Sequence, residues 1–163
     1  MTTPEQFYAA QKKVAEYDSA TDKLILDSLQ FDTLDTKGVP LNVIVKLLRK
    51  SFKERITHDK ILNEPIRDDL DFSDGFCMIS SYLIYSMTGG DKVWQLRGTP
   101  THWWLYHKKT KLIFDITHTQ FKSEDLPGIY ALGEPVNKLK TDPMFYDELK
   151  QKAKLLAHYA ELE

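Results

Sequence analysis

Three side chains that can act together in nucleophilic catalysis occur in order along the middle of the chain. Cys77 follows a Gly-Phe pair, His102 is followed by Trp-Trp-Leu, and Asp115 is followed by Ile-Thr. An imidazole can take the proton of a thiol, and a carboxylate can orient the imidazole and fix its tautomer. The three residues therefore predict a cysteine nucleophile, a histidine base and an aspartate that orients the base.

The residues around Cys77 predict that it lies at the start of a helix. Apolar residues recur at helical spacing after it, and Gly89 and Gly90 follow as a helix C-cap would. Ser73 or Asp74 can cap the start, which puts Cys77 in the first turn. The partial positive charge of a helix N-terminus favours a thiolate, and its unpaired N–H groups could serve as an oxyanion hole.

The residues around His102 and Asp115 predict two strands of one hairpin. Three short segments rich in aromatic and β-branched residues are separated by turn signals: 92–97, 101–106 and 111–117. If a four-residue loop with a type I turn is centred between Lys108 and Lys109, His102 and Asp115 are directly opposite each other. Opposed Cβ atoms are roughly 4.5–5.5 Å apart, within reach of a carboxylate–imidazole hydrogen bond. A three-residue loop would shift this register by one residue.

These motifs resemble a known family. Gly-x-Cys at a helix start, His-Trp-Trp-Leu on a strand and Ile-Phe-Asp-Ile-Thr on the next are similar to the transglutaminase-like branch of the papain-like cysteine enzymes. Here Ile116 stands where the family has a proline after the aspartate. The resemblance covers a catalytic core at about 72–121, and its end is similar to small bacterial and phage proteins of this type. It implies Cys77 as nucleophile, His102 as base and Asp115 as orienting acid.

Each of the three residues also has a purely structural interpretation. A single cysteine can be a buried small hydrophobe, His102 a hydrogen-bonded core histidine and Asp115 a turn residue. We expect a catalytic site because residue order, predicted element and register agree with one another. The expected function is hydrolysis or acyl transfer at an amide through a Cys77 thioester, of the peptidase, glutamine deamidase or transglutaminase type. The alternative is a catalytically inactive binding protein on the same scaffold.

Two further side chains are predicted to contact the substrate. Trp104 shares the predicted strand face with His102, and Gln120 either donates a hydrogen bond in the site or caps the next turn. The acidic segment 64–74 is expected to be a solvated loop that complements the helix dipole. The alternative is an acidic lip that attracts a cationic substrate, such as an amine acceptor.

Length and composition limit the class of protein. The chain has 163 residues, with 22 basic against 24 acidic side chains and one cysteine. We expect a single domain over residues 1–163, with no disulfide, no metal site and no cofactor. No basic stripe indicates nucleic-acid binding, and no apolar run is long enough to span a membrane. A cytoplasmic enzyme with a reduced thiol and a protein or peptide substrate is expected.

The remaining segments predict the fold class. Helices are indicated from Thr3, around Leu24 and Ile25, over 41–52 and from Asp142. His58 has no partner at metal-ligand or catalytic spacing and is expected on the surface. The predicted fold is α+β, in which helices precede a small antiparallel sheet, the sheet packs on the helix that carries Cys77, and a last helix closes the domain.

Overall fold

A computed structural model of the protein describes residues 23–25, 34–66 and 69–162. Helices and one sheet share a hydrophobic core, so the predicted α+β class is confirmed. The strands are β1 (Lys23–Ile25), β2 (Trp94–Thr99), β3 (His102–His107), β4 (Leu112–Phe114) and β5 (Glu134–Pro135). The helices are α1 (Leu41–Phe52), α2 (Arg55–Thr57), α3 (Cys77–Met87), α4 (Leu126–Ala131), α5 (Lys138–Thr141) and α6 (Pro143–Tyr159). A π-helical turn at His58–Leu62 follows α2, and 3-10 turns occur at Gly90–Lys92, His118–Gln120 and Ser123–Asp125.

The sheet has the strand order β1-β4-β3-β2-β5 in the described part of the chain. Strands β2, β3, β4 and β5 pair antiparallel, whereas β1 pairs parallel with β4. The predicted short helix around Leu24 and Ile25 is wrong, since both residues belong to β1. A short apolar run gives no decisive period, and here the free edge of β4 supplies backbone partners for a strand. The helix predicted from Thr3 lies outside the described residues.

The helices that bound the core follow their predicted stripes. In α1 the residues at helical spacing are all buried: Leu41, Ile44, Val45, Leu48 and Phe52. At the start of α6, Asp142 Oδ1 accepts a hydrogen bond from the Phe145 N–H at 3.1 Å, which is the predicted N-cap. Gly89 follows the C-terminus of α3 with φ +119°, a conformation that glycine adopts without strain. No helix in the described part of the chain is long and apolar enough to cross a membrane.

The two faces of β3 are buried against different groups of side chains. Trp103 and Leu105 belong to the main core, which includes apolar residues of α1, α3 and α6. Trp104 lies in a second cluster with Ile113, and two residues of the α4 helix, Leu126 and Tyr130, complete it. Both faces of β3 are therefore apolar, which explains why five of its six residues are buried.

The register of the β3–β4 hairpin differs from the prediction. Leu105 pairs with Phe114 and Tyr106 with Ile113, so the hairpin is centred between Lys109 and Thr110. The loop does have four residues, 108–111, but it begins one residue later than expected. The displacement moves every cross-strand partner by two positions, so the faces of the strands are preserved.

His58 is not on the surface, contrary to the prediction. Its side chain is buried, and Nε2 lies 2.6 Å from the carbonyl oxygen of Phe52. The ring also packs edge-on against Phe76, with the ring centroids 5.1 Å apart. His58 thus connects the C-terminal end of α1 to Phe76, the residue that precedes Cys77. No spacing in the sequence indicates this packing role.

Candidate active site

His102 and Asp115 form a direct hydrogen bond in the interior of the protein. His102 Nε2 donates to Asp115 Oδ2 at 2.6 Å, and the two residues are only 1% and 2% exposed. Continuing the observed register makes Trp104 the residue opposite Asp115 and His102 its diagonal neighbour. Diagonal pairs are roughly 7–8 Å apart at the backbone, a gap that an imidazole can bridge. The predicted contact is therefore made, although the predicted direct pairing is wrong.

The carboxylate of Asp115 is held by three further donors. Oδ1 accepts hydrogen bonds from the backbone N–H and the hydroxyl of Thr117, both at 3.1 Å. Oδ2 also accepts from the hydroxyl of Tyr130 at 2.8 Å. Four donors fix the carboxylate in one orientation, and its own position then fixes the ring of His102.

Cys77 is the first residue of α3, as its position after Gly75 predicted. The N-cap is Phe76, and neither Ser73 nor Asp74 caps the helix with its side chain. Gly75 has φ +88°, a left-handed conformation that lets the chain turn sharply into the helix. Strand β3 begins with His102, so the imidazole lies at the end of the sheet that adjoins this turn, and Cys77 Sγ is 4.0 Å from the carbonyl oxygen of Thr101.

The electrostatic environment of His102 favours the imidazolium. Burial lowers the pKa of His102, but hydrogen bonds to Asp115 and Cys77 outweigh burial and raise it to about 9. Because Asp115 occupies Nε2, Nδ1 is the ring nitrogen left for Cys77. The thiol and the carboxylate therefore both act on the imidazole and favour its charged form.

The first turn of α3 presents backbone donors beside the thiol. The first helical hydrogen bond runs from the Ser80 N–H to the Phe76 carbonyl at 2.8 Å, so the N–H groups of the three preceding residues have no helical acceptor. No side chain among the described residues caps this end. Such N–H groups can stabilise negative charge that develops on a carbonyl oxygen next to the sulfur.

Gln120, for which the sequence left open a place in the site or a turn cap, lies beside His102. Its Nε2 is 3.4 Å from Nδ1 of His102, and the side chain is half-buried. An amide group at this place adjoins the ring nitrogen that faces Cys77. Gln120 can therefore donate either to the neutral ring or to a group bound beside the sulfur.

The predicted substrate contact of Trp104 needs correction. The indole is completely buried, and its ring centroid lies 5.6 Å from that of His102. On its other side it packs edge-on against Tyr130 at 5.0 Å. The side chain shares the face of His102 as expected, but it packs between the imidazole and Tyr130 and leaves no surface exposed for a bound molecule.

The acidic segment contributes one structural anchor. Asp71 Oδ1 accepts from the N–H and hydroxyl of Ser73 at 2.9 and 2.5 Å, and from the hydroxyl of Thr119 at 3.0 Å. Burial opposes ionisation, but these hydrogen bonds outweigh it and hold the pKa of Asp71 below its usual value. The loop before Cys77 is thereby tied to the turn that carries Gln120.

Cys77 borders a cleft with a volume of about 300 Å³. Gly75 and Thr101 line it on one side, and none of the described acidic residues of segment 64–74 does so. The opposite wall is one face of α6, formed by Phe145, Glu148, Leu149 and Lys152. The charged pair Glu148 and Lys152 is exposed, so a molecule bound at the thiol would meet both signs of charge.

Sequence reasoning missed Thr117, Tyr130 and the α6 wall. The Asp-Ile-Thr sequence does carry a signal for Thr117, since an aspartate often binds the backbone two residues on. Nothing in the sequence points to Tyr130, whose hydroxyl reaches Asp115 only because α4 packs on Trp104. Among the described residues, no group of three His, Cys, Asp or Glu side chains is arranged to hold a metal ion.

No family model, curated protein or solved structure matches this chain. The similarity to transglutaminase-like cysteine enzymes therefore depends on the motifs at Cys77, His102 and Asp115.

Proposed function

We propose that the protein is a thiol-dependent hydrolase or acyltransferase that acts on an amide bond through a Cys77 thioester. The observation that supports this function best is the buried hydrogen bond at 2.6 Å between His102 and Asp115, with Cys77 close enough to the same ring to raise its pKa. These are the contacts that a nucleophile, a base and an orienting acid require. The motif resemblance to transglutaminase-like cysteine enzymes agrees with this chemistry.

In the first half-reaction, the Cys77 thiolate attacks the carbonyl carbon of the amide and an S–C bond forms. Backbone N–H groups of α3, with the amide of Gln120, bind the oxygen as it becomes negative. The proton on Nδ1 of His102 passes to the leaving nitrogen, the C–N bond breaks and an amine departs. Asp115 stabilises the imidazolium and orients the ring through its hydrogen bond to Nε2.

In the second half-reaction, water or an amine attacks the thioester. His102, now neutral, takes a proton from the attacking group as the new bond to carbon forms, the C–S bond breaks, and Cys77 leaves as a thiolate beside the imidazolium. Water gives hydrolysis of a peptide bond or deamidation of glutamine, whereas an amine gives transfer. The acceptor is chosen by the cleft rather than by the three catalytic residues.

A binding protein on the same scaffold is the second candidate. Its supporting observation is that Cys77 is only 7% exposed, as a structural cysteine would be. The two candidates differ in the reactivity of the thiol, since a thiolate held next to an imidazolium is alkylated at acidic pH.

The test is the rate of alkylation by iodoacetamide between about pH 5 and 9. Cys77 is the only cysteine among the 163 residues, so one added mass reports this thiol alone. We expect the native protein to react at about pH 6 much faster than the same chain unfolded in urea, whose thiol has a pKa of about 8.5. The Cys77→Ala variant should take up no label and should have no amidase or transferase activity while keeping its fold.

The outcome that contradicts the proposal is equally direct. If the native and unfolded proteins show the same pH dependence, or if His102→Ala leaves the alkylation rate unchanged, Cys77 and His102 are not coupled. A Cys77→Ala protein that retains full activity on an amide would exclude the thioester mechanism.

We further propose that the substrate is a protein or peptide. We also propose a cytoplasmic setting, because the chemistry needs a reduced thiol.

A further inference from the structure

The cleft at Cys77 is one end of a longer groove. Met78 and Phe145 line the cleft at the thiol and also a second compartment of about 360 Å³ beside β5. Pro135 and Val136 line this second compartment and also a third of about 510 Å³. Because neighbouring compartments share wall residues, the three lie side by side along α3, and we treat them together as one groove.

The third compartment, which we call the tyrosine compartment, is lined by Tyr82, Tyr85 and Tyr146. Met78, Tyr82 and Tyr85 are spaced as one stripe of α3, and all three are half-buried. The hydroxyls of Tyr82 and Tyr146 are 3.2 Å apart, and their rings pack edge-on at 5.8 Å. These side chains present rigid, amphipathic surface, which is typical of sites that bind polypeptides.

The length of the groove corresponds to several residues of an extended chain. Helix α3 rises about 1.5 Å per residue, so Cys77 and Tyr85 are separated by roughly 12 Å along its axis. An extended polypeptide advances about 3.3 Å per residue, so roughly four residues span this distance. A substrate that reached only the thiol would leave the second and third compartments unused.

The far end of the groove carries net positive charge. Lys108 and Lys140 line the tyrosine compartment with a single acidic residue, Asp91. The Asp91 carboxylate accepts a hydrogen bond from the Tyr85 hydroxyl, and Lys108 Nζ donates to the Asp91 backbone oxygen at 2.5 Å. Two cations beside one anion favour an acidic side chain on the bound segment.

We propose that the substrate is an extended polypeptide segment whose reacting amide lies at Cys77 and whose chain fills the groove as far as the tyrosine compartment, with an acidic residue about four positions away. The inference rests on the proposed function for the reacting amide. Apart from Cys77, the side chains that line the groove take no part in the proposed chemistry.

Peptide probes that alkylate Cys77 test the groove without a known substrate. One series carries a bromoacetyl group at the N-terminus and the other a chloromethyl ketone at the C-terminus, because the chain can run in either direction. Each series compares a single alanine with a segment of four alanines and a distal glutamate. In one orientation we expect the long probe to modify Cys77 about fivefold or more faster than the short one, as contact with aromatic side chains predicts.

Substitutions of groove residues test whether the faster reaction of the long probe comes from contact with the groove. Tyr82→Ala should abolish the gain and Tyr82→Phe should keep it, because the ring supplies most of the contact. Lys140→Glu should slow the glutamate probe by about two- to fivefold and accelerate a probe that ends in lysine, as expected for exposed ion pairs. The matched control is Lys154→Glu on α6, an exposed lysine outside the three compartments, which should change neither rate.

The iodoacetamide rate separates the two proposals. It should be the same in all these variants, since none of them touches Cys77, His102 or Asp115. A wild-type thiol with the same pH dependence as the unfolded chain would contradict the proposed function, but it would still be alkylated at about pH 9, where the ratio of long-probe to short-probe rates reports on the groove. Equal rates for long and short probes in both orientations would overturn the inference. A length gain that survives both Tyr82→Ala and Lys140→Glu would do so as well.

Discussion

At the scale of residues, the site is organised around the carboxylate of Asp115. Its two oxygens accept four hydrogen bonds, from His102, from Tyr130 and twice from Thr117. These four hydrogen bonds fix the orientation of the carboxylate. The carboxylate in turn holds Nε2 of the imidazole and leaves Nδ1 for the thiol.

We predict unequal effects for substitutions of His102 and Asp115. His102→Ala should lower turnover about as much as loss of the thiol, because in the proposed mechanism the imidazole transfers a proton in both half-reactions. Asp115→Asn should lower turnover by roughly 10- to 1,000-fold, less than the 10,000-fold known for a serine triad, since a thiol ionises more easily than a hydroxyl. The measurement is single and double variant kinetics, or alkylation rates; additive effects would show that the residues do not act as a unit.

Tyr130 is predicted to position Asp115 rather than to act in the reaction. Tyr130→Phe removes the hydroxyl at 2.8 Å but keeps the ring against Trp104. We expect a loss of about 1–2 kcal/mol in the free energy of unfolding. The pH profile of Cys77 alkylation should shift, because the electrostatic effect of Asp115 on His102 changes. Tyr159→Phe, a half-buried tyrosine of α6, is the control and should leave that profile in place.

At the scale of elements, the β3–β4 hairpin decides where His102 and Asp115 meet. Its four-residue loop ends with Lys111 at φ +59°, and the Lys111 N–H donates to the His107 carbonyl oxygen at 2.8 Å. A left-handed conformation is uncommon for lysine, and the sequence of this loop contains neither glycine nor asparagine to signal it. The loop therefore adopts its register at a local conformational cost.

Replacing this lysine tests that cost. Lys111→Gly should raise the free energy of unfolding by roughly 0.5–1 kcal/mol, because glycine avoids the 1–2 kcal/mol penalty of the left-handed region but gains entropy in the unfolded chain. Urea denaturation monitored by tryptophan fluorescence measures the change. Lys109→Gly is the control in the same loop, where φ is negative, and it should destabilise the protein. Loss of stability in Lys111→Gly would contradict the local explanation.

At the scale of the whole molecule, the candidate site exists only where three elements converge. Cys77 begins α3, His102 begins β3, and Asp115 follows β4. The hydroxyl of Ser81 donates to the Trp103 carbonyl oxygen at 3.3 Å and so ties α3 to β3 near the site. The pairing of thiol and imidazole thus depends on the packing between the helix and the sheet, and global stability is linked to the ionisation of His102.

This linkage predicts a loss of stability at alkaline pH. The folded-state pKa of His102 is raised to about 9, above the unfolded value of about 6.5. The stabilisation is therefore complete below about pH 6.5 and is lost as pH rises through about 9. Its upper limit is about 3 kcal/mol, from the free energy that corresponds to each pKa unit.

Urea denaturation across this range measures the effect. Because other groups also titrate, the relevant quantity is the difference between the wild type and His102→Gln, which cannot gain a proton. In the Cys77→Ala variant the stabilisation by His102 should be lost at a lower pH. The reason is that Cys77 is one cause of the raised pKa of His102. A wild type that shows the same pH dependence as His102→Gln would refute the linkage.

The sequence alone determined those features that depend on local spacing. The first-turn position of Cys77 and the stripe of α1 follow from the helical period, and the end of the Cys77 helix just before Gly89 follows from the glycines there. The common face of His102 and Asp115 follows from the twofold period of strands, and it survived a register error of two positions.

Only the tertiary structure decided how these local elements fit together. The hairpin register requires Lys111 to adopt a left-handed conformation. Packing on both faces of β3 offsets the conformational free energy that this requires. Trp104 was expected to contact substrate but is buried, because α4 covers that face, and the same helix brings Tyr130 to Asp115. Strand β1 was missed because its partner β4 is distant in sequence. His58 was missed because its ring is buried against Phe76, which follows the intervening acidic segment. Packing between elements far apart in the chain leaves no period in the sequence from which these contacts could be read.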